Sequence, residues 1–297
     1  MSATSKTSSP TSQASKQRRS DVRVAVVTIV VLAAALGIVV WFALFSHNAT
    51  PATVTPTTTG AHVVYPFGTV DLSEPSGMAP PSPHALAGYH LSYSTDFPGT
   101  TLPTGWELFS GKPGGDPGGQ FAISHVTLSG GLLHINTWRD PKYNNHWVTG
   151  GMSQAAVSKT FGAYFIRSRV TGLGPSEVQL LWPADNSWPP EIDFNEAGRS
   201  MGITTATIHW STQDFIEQHS VRTDMTKWHT WGVIWSPSTV RYTLDGHQWG
   251  EVSGASKISH IPMNLDFEQR SMCSLGFDCP TRPESMLVDW VVEYTAN

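Results

Sequence analysis

The stretch Pro190-Glu191-Ile192-Asp193-Phe194-Asn195-Glu196 sets three carboxylates within six positions among strand-forming residues. Side chains on a regular strand alternate faces, so Glu191 and Asp193 share one face while Ile192 and Phe194 enter a core. Glu196 lies five residues from Glu191, an odd interval that points it the other way. One extra residue bulged out near Phe194 and Asn195 restores the parity and returns Glu196 to the face of the other two. Three acids on one face repel each other, so the arrangement is costly unless something uses it. Cleavage of a glycosidic bond with retention has that use. It takes a carboxylate nucleophile and a protonated carboxyl about 5–5.5 Å apart, on either side of the scissile bond. Asp193, between them, could share a proton or hydrogen bond with Glu191 and hold it in place.

The hexamer resembles the signature of glycoside hydrolase family 16, Glu-x-Asp-x-x-Glu in its bulged, laminarinase-like branch. The surroundings follow the same order. Phe161-Gly162-Ala163-Tyr164-Phe165-Ile166-Arg167-Ser168-Arg169-Val170 and Leu180-Leu181-Trp182-Pro183 precede the acids. Thr207-Ile208-His209-Trp210, Trp228-His229-Thr230-Trp231-Gly232-Val233-Ile234-Trp235 and the turn Asp245-Gly246 follow, with Met286-Leu287-Val288-Asp289-Trp290-Val291 near the end. The resemblance covers roughly residues 90–297. It implies that Glu191 is the nucleophile, Asp193 its helper and Glu196 the acid/base. It further implies a jelly-roll sandwich with one sheet bent around a substrate cleft. Two positions depart from the family. Phe165 stands where many members carry a Glu, and Glu268 where a neutral amide is common.

Around these residues the chain is poor in charge (14% Asp, Glu, Lys and Arg) and rich in Gly (26), Pro (21) and Trp (12), which suits a turn-rich β domain with aromatic surfaces. The net charge of −5 includes a basic start, with Lys6, Lys16, Arg18, Arg19 and Arg23 against Asp21. The rest is more acidic still, without the basic footprint that nucleic-acid binding requires. Residues 1–23 read as a disordered basic tail. Val24 to Phe45 carries no charge; as a helix it would be about 33 Å long, enough to cross a hydrocarbon core of about 30 Å. The preceding cations orient it with the tail in the cytoplasm and the remainder outside. A cleaved signal peptide is the rival reading, disfavoured by the length of the apolar run and by His47 at the cleavage position. Residues 46–88, rich in Thr, Pro, Ser, Ala and Gly, read as a spacer, and 89–297 as the catalytic domain. The expected location is therefore the cell membrane, single-pass, with the domain extracytoplasmic and monomeric.

Short β-patterned runs follow, from His90 to Phe97, Phe121 to Leu128, Leu132 to Trp138, Tyr164 to Val170, Val178 to Trp182, Thr204 to Trp210, Thr230 to Trp235, Val240 to Leu244 and Met286 to Tyr294. Turn chemistry at Ser129-Gly130-Gly131 and Asp245-Gly246 separates some of them. With no pattern for a long helix, the fold class is all-β, a two-sheet sandwich of the jelly-roll, concanavalin-like kind.

A sugar offers apolar C–H faces and a ring of hydroxyls, so a glycan site wants aromatic platforms beside polar side chains. Trp182 and Trp188 flank the acid strand; Trp188 and Trp210 read equally as platforms or as β-core aromatics, while Trp231, Trp235 and Trp290 look like core. His209 resembles the histidine that the family places beside the acids, with a structural role as the rival. In Pro262 to Glu268 strict alternation puts Asn264, Asp266 and Glu268 on one face, which the resemblance assigns to the substrate cleft. Cys273 and Cys279 would pair in an exported domain, with free thiols as the alternative. No metal-ligand spacing is present and no cofactor is expected, although relatives bind a structural calcium through main-chain oxygens. Two functions compete: a retaining endo-β-glucanase, or a transglycosylase variant of it, and a lectin-like domain without turnover. The bulged spacing leans toward β-1,3- or mixed-linkage glucan.

Overall fold

The computed structural model describes residues 64–197, 202–276 and 279–297. Its strands are β1 (Thr69–Val70), β2 (Met78–Ala79), β3 (Tyr89–Thr95), β4 (Glu107–Leu108), β5 (Val126–Ser129), β6 (Leu132–Asp140), β7 (His146–Val148), β8 (Gly151–Ser153) and β9 (Gly162–Val170). They continue with β10 (Ser176–Pro183), β11 (Glu191–Ala197), β12 (Ile203–Trp210), β13 (Phe215–Arg222), β14 (His229–Trp235), β15 (Thr239–Leu244), β16 (His247–Ser253), β17 (Met263–Arg270) and β18 (Glu284–Ala296). The described residues otherwise form turns, loops and single turns of 3-10 helix, none of them long and apolar enough to cross a membrane. The span expected over Val24 to Phe45 lies outside the described residues.

The strands build two antiparallel sheets. One has seven strands in the order β13-β12-β11-β10-β17-β8-β4. The other has nine: β16-β15-β14-β9-β18-β6-β5, with β3 also on β18 and β7 on β6. Between them lies the main core. Leu181, Ile192, Phe194, Ile208, Leu265 and Phe267 come from the first sheet, and Leu133, Ile135, Tyr164, Ile166, Trp231, Val233, Trp235 and Val288 from the second. The alternation that sends these residues inward sends the acids outward, so the same period that builds the core builds the site.

The nine-stranded sheet buries its second face as well. Ala163, Phe165, Ile234, Trp290, Val292 and Tyr294 form a smaller cluster there, covered by Tyr65, Ala85, Leu86, Tyr89 and Leu91. Residues 64–88 are therefore a strap on the domain rather than the spacer that their composition suggests. Backbone groups hold it: Trp290 Nε1 donates to Met78 O (2.9 Å), Tyr294 Oη to Ser82 O (2.8 Å) and Thr230 Oγ1 to Phe67 O (2.9 Å). Gly68 (φ +102°) is required where the strap passes Trp290, since a Cβ there would meet Ala79 O at 2.8 Å. Composition misreads such a segment because two or three anchors on a ready-made apolar face suffice, without a core of its own. Phe165, the departure from the family pattern, packs edge-on against Tyr294 in this cluster.

Candidate active site

β11 carries the acids, and its pairing contains the bulge. Against β12, Asp193 pairs with Thr207 and Glu196 with Thr205, so three steps on β11 oppose two on its neighbour. The register also shifts against β10, between Gln179 and Leu180. Ile192 and Phe194 are fully buried in the core. Glu191, Asp193 and Glu196 consequently share the outer face of the seven-stranded sheet.

Cross-strand pairing aligns the rest. Glu191 stands beside His209, Asp193 and Asp266 flank Leu180, Glu196 and Glu268 flank Val178, and Asn264 is beside Trp182. The structure thus brings Trp182, His209, Asn264, Asp266 and Glu268 to the face of the acids. Trp188, just before β11, is 40% exposed and donates its indole N–H to Glu191 Oε2 at 2.7 Å. Trp210 is not brought there. It lies on the other face of β12, packed against the main core beside Phe215, with Lys257 Nζ over its ring. A strand that turns His209 toward the acids must turn the next residue away.

His209 links the acids to a neighbour. Its Nδ1 bonds Asp214 Oδ1 at 2.7 Å, which aims Nε2 toward Asp193 Oδ2, 3.7 Å away. Burial pulls the imidazole down, but the Asp214 hydrogen bond and the charges of Glu191, Asp214 and Glu196 outweigh it, and the net shift is upward. Burial raises Glu191, opposed by the His209 charge and the Trp188 hydrogen bond. Asp193 is pushed well above its ordinary value by burial and by the charges of Glu191 and Glu196. Burial also lifts Asp266 well up and carries Glu268 to about 7. One ligand atom each of Glu191, Asp193 and His209 lie within 4.8 Å of one another, so these are the residues that could hold a metal ion, at the expense of the nucleophile.

Arg270 is the residue that the sequence reading missed. It follows Asn264, Asp266 and Glu268 in the same alternation, so extending that run by one step would have found it. Its Nη2 donates to Glu196 Oε1 at 2.6 Å, and its Nε lies 3.8 Å from Glu268 Oε2. Burial lowers Arg270, but the four acids around it reverse the shift. Nη1 also reaches Gly114 O, at 3.4 Å, in the glycine-rich loop 111–119. That loop is tied through buried Asp116 to Met272 N (3.3 Å), at the start of the turn closed by the Cys273–Cys279 disulfide.

Relatives share this arrangement of strands. The chain is 16% identical to the catalytic domain of an endo-1,3-beta-glucanase (laminarinase) from Thermotoga petrophila, covering 70% of this chain and 98% of that one with a TM-score of 0.61. The laminarinase from Rhodothermus marinus is 20% identical, with 70% and 98% covered and a TM-score of 0.63. Among curated proteins, an endo-1,3-1,4-beta-glycanase of Rhizobium meliloti is 30% identical over 131 residues, 41% of this chain and 28% of that protein. A glucan endo-1,3-beta-glucosidase of Niallia circulans is 26% identical over 209 residues, 58% of this chain and 31% of that protein. The chain therefore spans under a third of the length of these curated relatives. The model of the glycosyl hydrolases family 16 matches residues 135–291, a stretch that includes Glu191, Asp193, Glu196, Asp266 and Glu268. The chain belongs to glycosyl hydrolase family 16.

Proposed function

We propose that the chain is a retaining, endo-acting glycosidase of a neutral β-glucan, β-1,3-linked or mixed-linkage. The supporting observation is the bulge that sets Glu191, Asp193 and Glu196 on one face with Trp188 and Trp182 beside them. In this reading Glu191 attacks the anomeric carbon, and its indole hydrogen bond holds it in line. Glu196 protonates the leaving oxygen and then, as a base, activates the water that releases the glycosyl-enzyme. Asp193, kept protonated, steadies Glu191 without adding a charge. The named activities of the relatives support the choice of glucan.

The reading places the domain outside the cell, tethered by residues 24–45 and needing no cofactor. A second reading, a lectin-like binder without turnover, draws on one contact. Arg270 occupies Glu196 Oε1, an oxygen that proton donation would otherwise use. The deciding experiment is a screen of laminarin, lichenan, cellulose, agarose and carrageenan with the fragment 64–297. Endo-cleavage of laminarin or lichenan with a β-configured first product supports the proposal. An inverted product, or tight glucan binding without cleavage, overturns it.

A further inference from the structure

Asn195 belongs to the bulge: against β12 it and Phe194 together stand between the Asp193–Thr207 and Glu196–Thr205 pairs. With Phe194 already turned inward, it is a second consecutive side chain sent into the sandwich interior, where it is fully buried. Its Nδ2 donates to Glu177 Oε1 on β10 at 3.1 Å, and its Oδ1 accepts from Thr204 Oγ1 on β12 at 2.6 Å. One amide thus ties the bulged strand to both of its neighbours, where the bulge has disrupted the backbone ladder. Glu177 is itself buried, at 1% exposure, and its Oε1 accepts two more bonds, from Gln179 Nε2 (2.9 Å) and from Ser168 Oγ (3.2 Å) on β9 of the opposite sheet. The cluster therefore anchors β11 to β10, β12 and the second sheet together.

Stability does not explain it. Buried polar groups cost free energy relative to well-packed apolar ones, and Glu177 Oε2 and Gln179 Oε1 have no hydrogen-bond partner among the described residues. Burial also pushes the Glu177 carboxyl up to about 7, against its hydrogen bonds and the charge of His229 on β14. What the cluster can supply is register. Without the bulge, the odd interval from Glu191 turns Glu196 into the core, because a one-residue slip moves every later side chain to the other face.

We propose that Glu177, acting through Asn195, is a positioning residue that locks the bulge and so holds Glu196 on the face of Glu191. The proposal rests on the reading of Glu191 and Glu196 as the catalytic pair. Neither Glu177 nor Asn195 meets substrate.

Three variants in the fragment 64–297 test it. Glu177→Leu combined with Asn195→Leu replaces the cluster by apolar volume. It should melt at or above the wild-type temperature, yet lose about a hundredfold or more in kcat on glucan with KM within about threefold. Thr204→Val, a near-isosteric change that guards against a misfolded double variant, should lose about tenfold in kcat. Glu177→Gln keeps the acceptor and should retain kcat within about threefold, while flattening the decline of melting temperature as pH rises toward 7. Crystal structures should show Glu196 displaced in the leucine variant and in place in the glutamine one. Wild-type kcat in both the leucine and valine variants with Glu196 unmoved overturns the proposal, as does a glutamine variant as impaired as leucine. If the wild type cleaves no glucan, the glycosidase reading fails separately, and the position of Glu196 in the crystals still decides the inference.

Discussion

Glu191 and Glu196 are five residues apart on one strand and face different surroundings, and this separates their proposed roles. Glu191 has an indole donor on one oxygen and the His209 imidazole beside it, and both oppose the burial that raises its carboxyl. Glu191→Gln should lower turnover about a thousandfold or more while oligosaccharide affinity, read by calorimetry, stays within a few fold. Glu196→Ala should keep activity on aryl glycosides whose leaving group needs no proton, and azide should speed it further to a β-glycosyl azide, identified by NMR. An α-azide, or no rescue at all, would count against the assignment. Glu268 supplies a pH prediction. Its folded-state pKa, about 7, lies above the ordinary 4.5, so the folded protein holds this proton more tightly than the unfolded chain does. Its contribution to stability is full below about 4.5 and is lost as pH rises through about 7, by at most about 3 kcal/mol. Melting temperature measured from pH 4.5 to 8 should therefore fall less in Glu268→Gln than in wild type; parallel curves would remove Glu268 from the account. The shared face of Glu191, Asp193 and Glu196 was legible because parity and like charge are local properties of a hexamer. Alternation along β17 could have put Arg270 on the same face, but its bond to Glu196 could not be read there, because it depends on β10 alone separating β17 from β11.

At the scale of elements, strands with apolar alternation were readable and polar ones were not. β9, β14 and β18 carry Tyr, Ile, Trp and Val on buried faces and match their expected runs. β13, Phe215–Arg222, is an edge strand of mostly half-buried, largely polar residues, and β16 is similar, so neither shows the periodic signal that reveals a strand. The strap was misread for a related reason: its contacts belong to a face made by β9, β14 and β18. Tyr65 and Leu86 cover that face, and burying a large apolar side chain is worth about 1.5–3 kcal/mol. A fragment beginning at residue 89 should therefore melt about 10 °C below one beginning at residue 64, at a conversion of about 2–4 °C per kcal/mol. Equal melting by calorimetry would show that the strap contributes nothing. Gly68→Ala should carry part of the same loss, since its φ of +102° and the nearby Ala79 carbonyl both exclude a methyl group.

For the whole molecule, the strap moves the boundary of anything acting as a tether. Residues 46–88 had one composition throughout, yet from 64 onward the chain is bonded to the domain: Tyr65 N donates to Gly246 O at 2.9 Å and Ser76 N to Asp289 Oδ2 at 3.1 Å. Protease cleavage requires a backbone that can leave its neighbours, so packed segments resist while Thr/Pro-rich chain without a core is cut. If residues 24–45 anchor the chain with the basic tail inside, protease added to intact cells should release the domain with a new N-terminus between residues 46 and 63. Four results are distinguishable, three by mass spectrometry of the N-terminus and one by the absence of released material. A terminus in that window supports both the anchor and the strap. A terminus within 64–88 keeps the anchor but shows the strap undocked. Mature protein already beginning near Ala49 without added protease replaces the anchor with a cleaved signal, and full protection of the domain reverses the orientation that the cations before Val24 predict.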